Sequence, residues 1–140
     1  MSAVRFAALA LVCAAVAGCR AGPEQACPAV GWTNELTVEL APDRPAVPGG
    51  TVHVACSSPC GIGLSRTGTD EPLDELSAPL SGRSAQLQLD MTTPDSVVVT
   101  VLGPDGGQLA ELDTDLDWVR VGGSAQCGSP MQASVLVPAL

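Results

Sequence analysis

The sequence predicts an all-β chain: an antiparallel β-sandwich of about seven strands. Three observations predict it. Apolar residues recur at every second position in several short runs, which is the period of a half-buried strand. Most of the prolines lie between those runs, where a missing N–H costs least. Helical periodicity is absent, apart from room for one turn at Leu73 to Leu76 in the segment TDEPLDELSAPLSG.

The elements follow in order. Leu36-Thr37-Val38-Glu39-Leu40 alternates, and so does Thr51-Val52-His53-Val54-Ala55-Cys56. Ile62 to Ser65 is a candidate short strand. Residues 85–91 alternate most cleanly, with Leu87, Leu89 and Met91 on one face and Gln86, Gln88 and Asp90 on the other. Ser96 to Leu102, SVVVTVL, is apolar almost throughout and predicts a strand covered on both sides. Gly103-Pro104-Asp105-Gly106-Gly107 is a turn, and Gln108 to Leu112 returns from it. Trp118 to Val121 and Ala133 to Val137 complete the series. Short strands with turn signals between them, and no helices, suit a sandwich of immunoglobulin-like architecture. The Cys-Trp-Cys spacing of true immunoglobulin domains is absent, so that term describes architecture alone.

Composition narrows the function. The chain has 140 residues, six basic residues (all Arg) and fifteen acidic ones, and it is long enough for one domain. An acidic surface repels phosphate backbones, so nucleic acid is not an expected partner. There is no Tyr, one Phe (Phe6) and two Trp (Trp32 and Trp118). That leaves too few aromatic faces for a stacking platform. The core must be built from Val, Leu and Ala, with the tryptophans as expected core anchors.

The amino terminus carries a targeting signal. Arg5 precedes thirteen apolar residues, Phe6 to Gly18. As a helix they span about 20 Å, short of the ~30 Å hydrocarbon core. Length and flanks therefore fit a signal-peptide h-region better than a membrane span. Two cleavage sites compete. Ala15-Val16-Ala17 is an A-x-A site that would release a chain starting at Gly18. Val16-Ala17-Gly18-Cys19 has the form of a lipobox. In this tetrad the chain resembles bacterial prolipoproteins, and its bias toward Ala, Gly, Pro, Val and Arg resembles that of GC-rich bacteria such as actinobacteria. The resemblance covers residues 1–19. It implies that the Cys19 thiol receives a diacylglyceryl group and that cleavage follows just before it. The family prefers Leu where Val16 stands.

Cysteine parity favours the second site. Of Cys13, Cys19, Cys27, Cys56, Cys60 and Cys127, the first leaves with the h-region under either reading. The A-x-A site leaves an odd number of thiols in an oxidising compartment; the lipobox leaves four for pairing. The expected organisation is a signal peptide over 1–18, a lipid-anchored tether over 19–31 and a β-sandwich over 32–140. The mature chain then carries five Arg against fifteen acids, a formal charge of −10. It is expected at the cell membrane on the extracytoplasmic side. The chain behind the lipobox is similar to small exported β-sandwich proteins of unknown function.

The four cysteines allow three pairings. Only one short spacing is present, Cys56 to Cys60, whereas a zinc ribbon needs two. Export also favours disulfides. In an immunoglobulin-like sandwich the first and last strands run parallel. Cys27 and Cys127 each precede one of them, so the expected pairs are Cys27–Cys127 and Cys56–Cys60.

Candidate chemistry is sparse. Asp113, Asp115 and Asp117 alternate in ELDTDLDW and would share one face of an extended chain. They form either a solvated edge that discourages strand pairing or a weak Ca²⁺ site. The Gly and Glu of a calcium EF-loop are missing. His53, the single histidine, has no G-x-S-x-G beside it, and its phase points away from Val52 and Val54. Asp70, Glu71, Asp74 and Glu75 could offer a carboxylate pair for glycoside hydrolysis, or form the solvated face of a Pro-flanked polar loop. Nothing calls for a cofactor. The expectation is a lipid-anchored, non-catalytic binding or envelope-structural module. The alternatives are an envelope hydrolase using the acidic segment and a weak Ca²⁺-binding surface module.

Overall fold

The computed structural model describes residues 26–64 and 70–139. Residues 1–18, expected to be a signal peptide, Cys19 and the start of the expected tether lie outside those residues. The described chain is all-β, with strands β1 (Asn34–Leu40), β2 (Thr51–Cys56), β3 (Gly61–Leu64), β4 (Asp70–Leu73), β5 (Glu75–Pro79), β6 (Ser84–Leu89), β7 (Ser96–Leu102), β8 (Gln108–Asp115), β9 (Val119–Arg120) and β10 (Met131–Val137).

Eight of these strands form two four-stranded sheets. One has the order β6-β1-β10-β9 and the other β5-β2-β7-β8, while β3 and β4 pair separately. Every pairing is antiparallel except that of β1 with β10, which is parallel and in register from Glu35–Gln132 to Leu40–Val137. One continuous core joins the two sheets. Leu36 and Val38 of β1, Leu87 of β6 and Val135 of β10 meet Val52 and Val54 of β2 and Val99 and Val101 of β7. Branched aliphatic side chains fill this space because no buried aromatic is available, and they suit a pleated, half-buried surface.

Register defines the two ends of the molecule. Asn34 lies opposite Leu89, and Arg120 opposite Met131, so Trp32, Met91, Pro130 and Val121 leave the first sheet at one end. In the second sheet Cys56, Ser96 and Asp115 are at that end, because residues 90–95 carry the chain directly from β6 to β7. This is the tether end. The far end holds the loop 41–50 and the turn 103–107. In that turn Gly103 N–H donates to the Gly107 carbonyl at 2.8 Å, and Gly106 sits at φ 81°.

Several local expectations are corrected. The described residues contain ten strands rather than about seven: the short candidate after Gly61 forms β3, and β4 and β5 are short segments that carry little periodicity. No helical turn forms at Leu73 to Leu76. Backbone pairing takes over there: Cys60 N–H donates to Leu73 O at 2.9 Å and Cys56 N–H to Asp74 O at 2.8 Å. Strand β6 ends at Leu89, and Met91 faces outward instead of continuing the buried face. Strand β7 is not covered on both sides. Val97, Val99 and Val101 are buried, while Ser96, Val98, Thr100 and Leu102 are half-buried on the outer face.

Candidate functional site

The tether end concentrates the features that the strand pattern does not explain. Cys27 is bonded to Cys127 with Cα atoms 5.2 Å apart, and Cys56 to Cys60 with Cα atoms 6.3 Å apart. The first bridge fixes the segment before β1 to the loop between β9 and β10. The second closes a loop of four residues' separation, and its Cys60 is fully buried in the core. The parallel pairing of β1 and β10 explains the long bridge, because it brings both preceding segments to one end.

Asn34 organises the backbone here. It is fully buried at the start of β1. Its Nδ2 donates to Thr92 O at 2.7 Å, and its Oδ1 accepts from Met131 N–H at 2.9 Å. One side chain therefore ties β1 to β10 within its own sheet and to the connection that leads into β7. Trp118 makes a related tie, with its indole N–H donating to Pro94 O at 2.9 Å.

Beside the long disulfide lies a cleft of about 390 Å³. Trp32, Val30 and Pro28 line one wall, and Gly123, Gly128 and Pro130 line the other. Trp32 is half-buried and stands outside the core cluster, whereas Trp118 packs against it. Only one tryptophan is thus the core anchor expected of both. The Trp32 ring lies directly against the backbone of Gly128, in space that a Cβ would occupy.

The acidic candidates lie outside this cleft. Asp113 and Asp115 lie on exposed positions of β8, an edge strand, together with Glu111. Asp117 follows them, also exposed. Glu71, Asp74 and Glu75 are exposed around the junction of β4 and β5, so they do not converge in a buried pocket. The side chain of Asp70 lies outside the described residues. Among the described residues no group of three or more His, Cys, Asp or Glu side chains is placed to hold a metal ion. His53 is exposed on the outer face of β2, opposite Ser77 on one side and Thr100 on the other.

At the far end, Arg44 is a buried cation. Its Nε donates to Pro138 O at 3.1 Å, and its Nη2 is buried without a hydrogen-bond partner. Comparison with known proteins finds no matching family model, no matching curated protein and no matching solved structure. The cleft, the Asn34 tie and Arg44 were all missed by sequence reasoning. The one available signal was the Gly that follows Cys127, the residue type a close-packed or left-handed backbone requires.

Proposed function

We propose that this chain is an exported lipoprotein, anchored through a diacylglyceryl group on Cys19, that presents an immunoglobulin-like β-sandwich as a non-catalytic binding or envelope-structural module. The observation that carries the reading is the tetrad Val16-Ala17-Gly18-Cys19 at the end of a thirteen-residue apolar run. A short h-region is too brief to span a bilayer, and the thiol at its end is a chemically suitable acceptor. Two acyl chains give stable attachment where one is marginal.

Cysteine use supports the same reading. With Cys13 removed and Cys19 lipidated, the remaining four are consumed by the two bridges, as suits an oxidising compartment. Two sheets around one core, with the first strand parallel to the last, support the immunoglobulin-like comparison. The acidic surface, with a net charge of −9 for the whole chain, argues against a nucleic-acid partner.

The test is metabolic labelling with a fatty acid in an actinobacterial host, comparing the native chain with Cys19→Ser. The native protein is expected in the membrane fraction and labelled, and the variant unlabelled. An unlabelled native protein recovered from the medium would sink the reading.

A further inference from the structure

The two sheets end differently on the tether side, and the difference is chemical. Each strand of the first sheet has an apolar residue within two positions of this end. In strand order these are Met91 after β6, Trp32 before β1, Pro130 before β10 and Val121 after β9. Met91 and Val121 are 49% and 51% exposed. Val30 on the cleft rim and Val119 on β9 extend the row, at 67% and 62%. Of the seven large apolar side chains that are exposed among the described residues, only Leu109 and Leu136 lie towards the far end. The exposed groups at the end of the second sheet are mainly carboxylates, Asp74 and Glu75 at β5, Asp95 before β7, and Asp115 and Asp117 at β8. Its apolar neighbours Pro94 and Leu116 are buried or half-buried, and Leu73 is 38% exposed. The carboxylate that follows β6, Asp90, is half-buried.

We propose that the apolar row of the first sheet is a membrane-docking face, which seats the domain on the lipid bilayer that holds its anchor. This rests on lipidation of Cys19. Chain length selects the bilayer over other occupants. Cys27 lies eight positions after Cys19, so it is within about 29 Å of the anchor even when the tether is fully extended. The disulfide to Cys127 fixes Cys27 to the cleft wall. The apolar row is therefore held beside the bilayer at high effective concentration, while the far end lies a strand length, about 23 Å, further off.

The acidic end of the second sheet sets the tilt. Anionic headgroups repel Asp95, Asp115 and Asp117, so the domain leans with its first sheet toward the lipid. Trp32 suits that position, because an amphipathic ring prefers the level of the headgroups.

The test uses the lipidated full chain reconstituted in vesicles of brominated phosphatidylcholine mixed with anionic phosphatidylglycerol, with its fatty-acid label measured on the same sample. Tryptophan emission is expected to be quenched relative to unbrominated vesicles. Val30→Asp and Val121→Asp, both at exposed positions, are expected to restore the emission while the protein stays anchored and its melting transition is unchanged. Labelled protein whose emission is insensitive to bromine overturns the docking face and leaves the anchor intact. Absence of label overturns the anchor itself. A blue shift that follows protein density in unbrominated vesicles, without quenching by bromine, assigns the row to a second copy of the chain and also overturns the proposal.

Discussion

The indole of Trp32 occupies the space that a side chain on Gly128 would need. Gly128 also has φ 78°, a conformation that costs a residue with a Cβ about 1–3 kcal/mol. Gly128→Ala therefore meets two penalties, one steric and one conformational. It is expected to destabilise the domain by about 1–3 kcal/mol in urea unfolding. Adding Trp32→Ala removes the steric part, so the double variant is expected to cost less than the sum of the single ones. Additive costs would mean that the ring moves aside freely.

The two disulfides differ in the loops they close, at separations of 100 and 4 residues. In the chain-entropy account their removal costs about 4.7 and about 2 kcal/mol respectively. Cys27→Ala with Cys127→Ala is thus expected to lower stability more than Cys56→Ala with Cys60→Ala. Equilibrium unfolding of the two double variants reads the difference. The reverse order would show that the buried position of Cys60 in the core outweighs loop entropy.

Asn34 satisfies a donor and an acceptor on two different segments while fully buried. Asn34→Ala leaves Met131 N–H and Thr92 O without their partner; Thr92 is exposed and can turn to water, so the expected cost is about 1–3 kcal/mol in all. Hydrogen exchange should show faster exchange at Met131 in particular. An unchanged rate there would remove Asn34 as the tie between β1 and β10.

Arg44 presents the opposite case, a buried guanidinium whose Nη2 has no partner. Such a nitrogen has lost its water without regaining a hydrogen bond. Arg44→Met keeps the aliphatic length and removes the nitrogen that has no hydrogen-bond partner among the described residues. It is expected to be neutral or stabilising, with a melting temperature equal to or above that of the native chain. A loss of several degrees would show that the Nε bond to Pro138 O matters more than the orphaned nitrogen.

Much of the strand map was legible because a period of two survives wherever one face is buried. Thr51–Cys56 and Ser96–Leu102 occupy the residues that their patterns marked. Asp70–Leu73 and Glu75–Pro79 were not legible: both are short, polar and proline-bearing, and their pairing is supplied by β3 and β2. The acidic residues of β8 were readable as a solvated edge from alternation alone. Trp32 was not readable in this way. A large apolar residue next to a strand looks the same whether it enters the core or caps its end.

By itself, the sequence determined the β class, the alternating faces and the turn at residues 103–107, because each depends on local periodicity or turn chemistry. Tertiary structure decided which strands share a sheet, that β1 lies parallel to β10, and that the apolar strand ends of one sheet gather beside the tether while the acidic ends of the other gather next to them. Those depend on contacts between residues far apart in the chain. Asn34 and Met131 are separated by 97 positions, and no local pattern specifies which of many distant segments will complete a sheet.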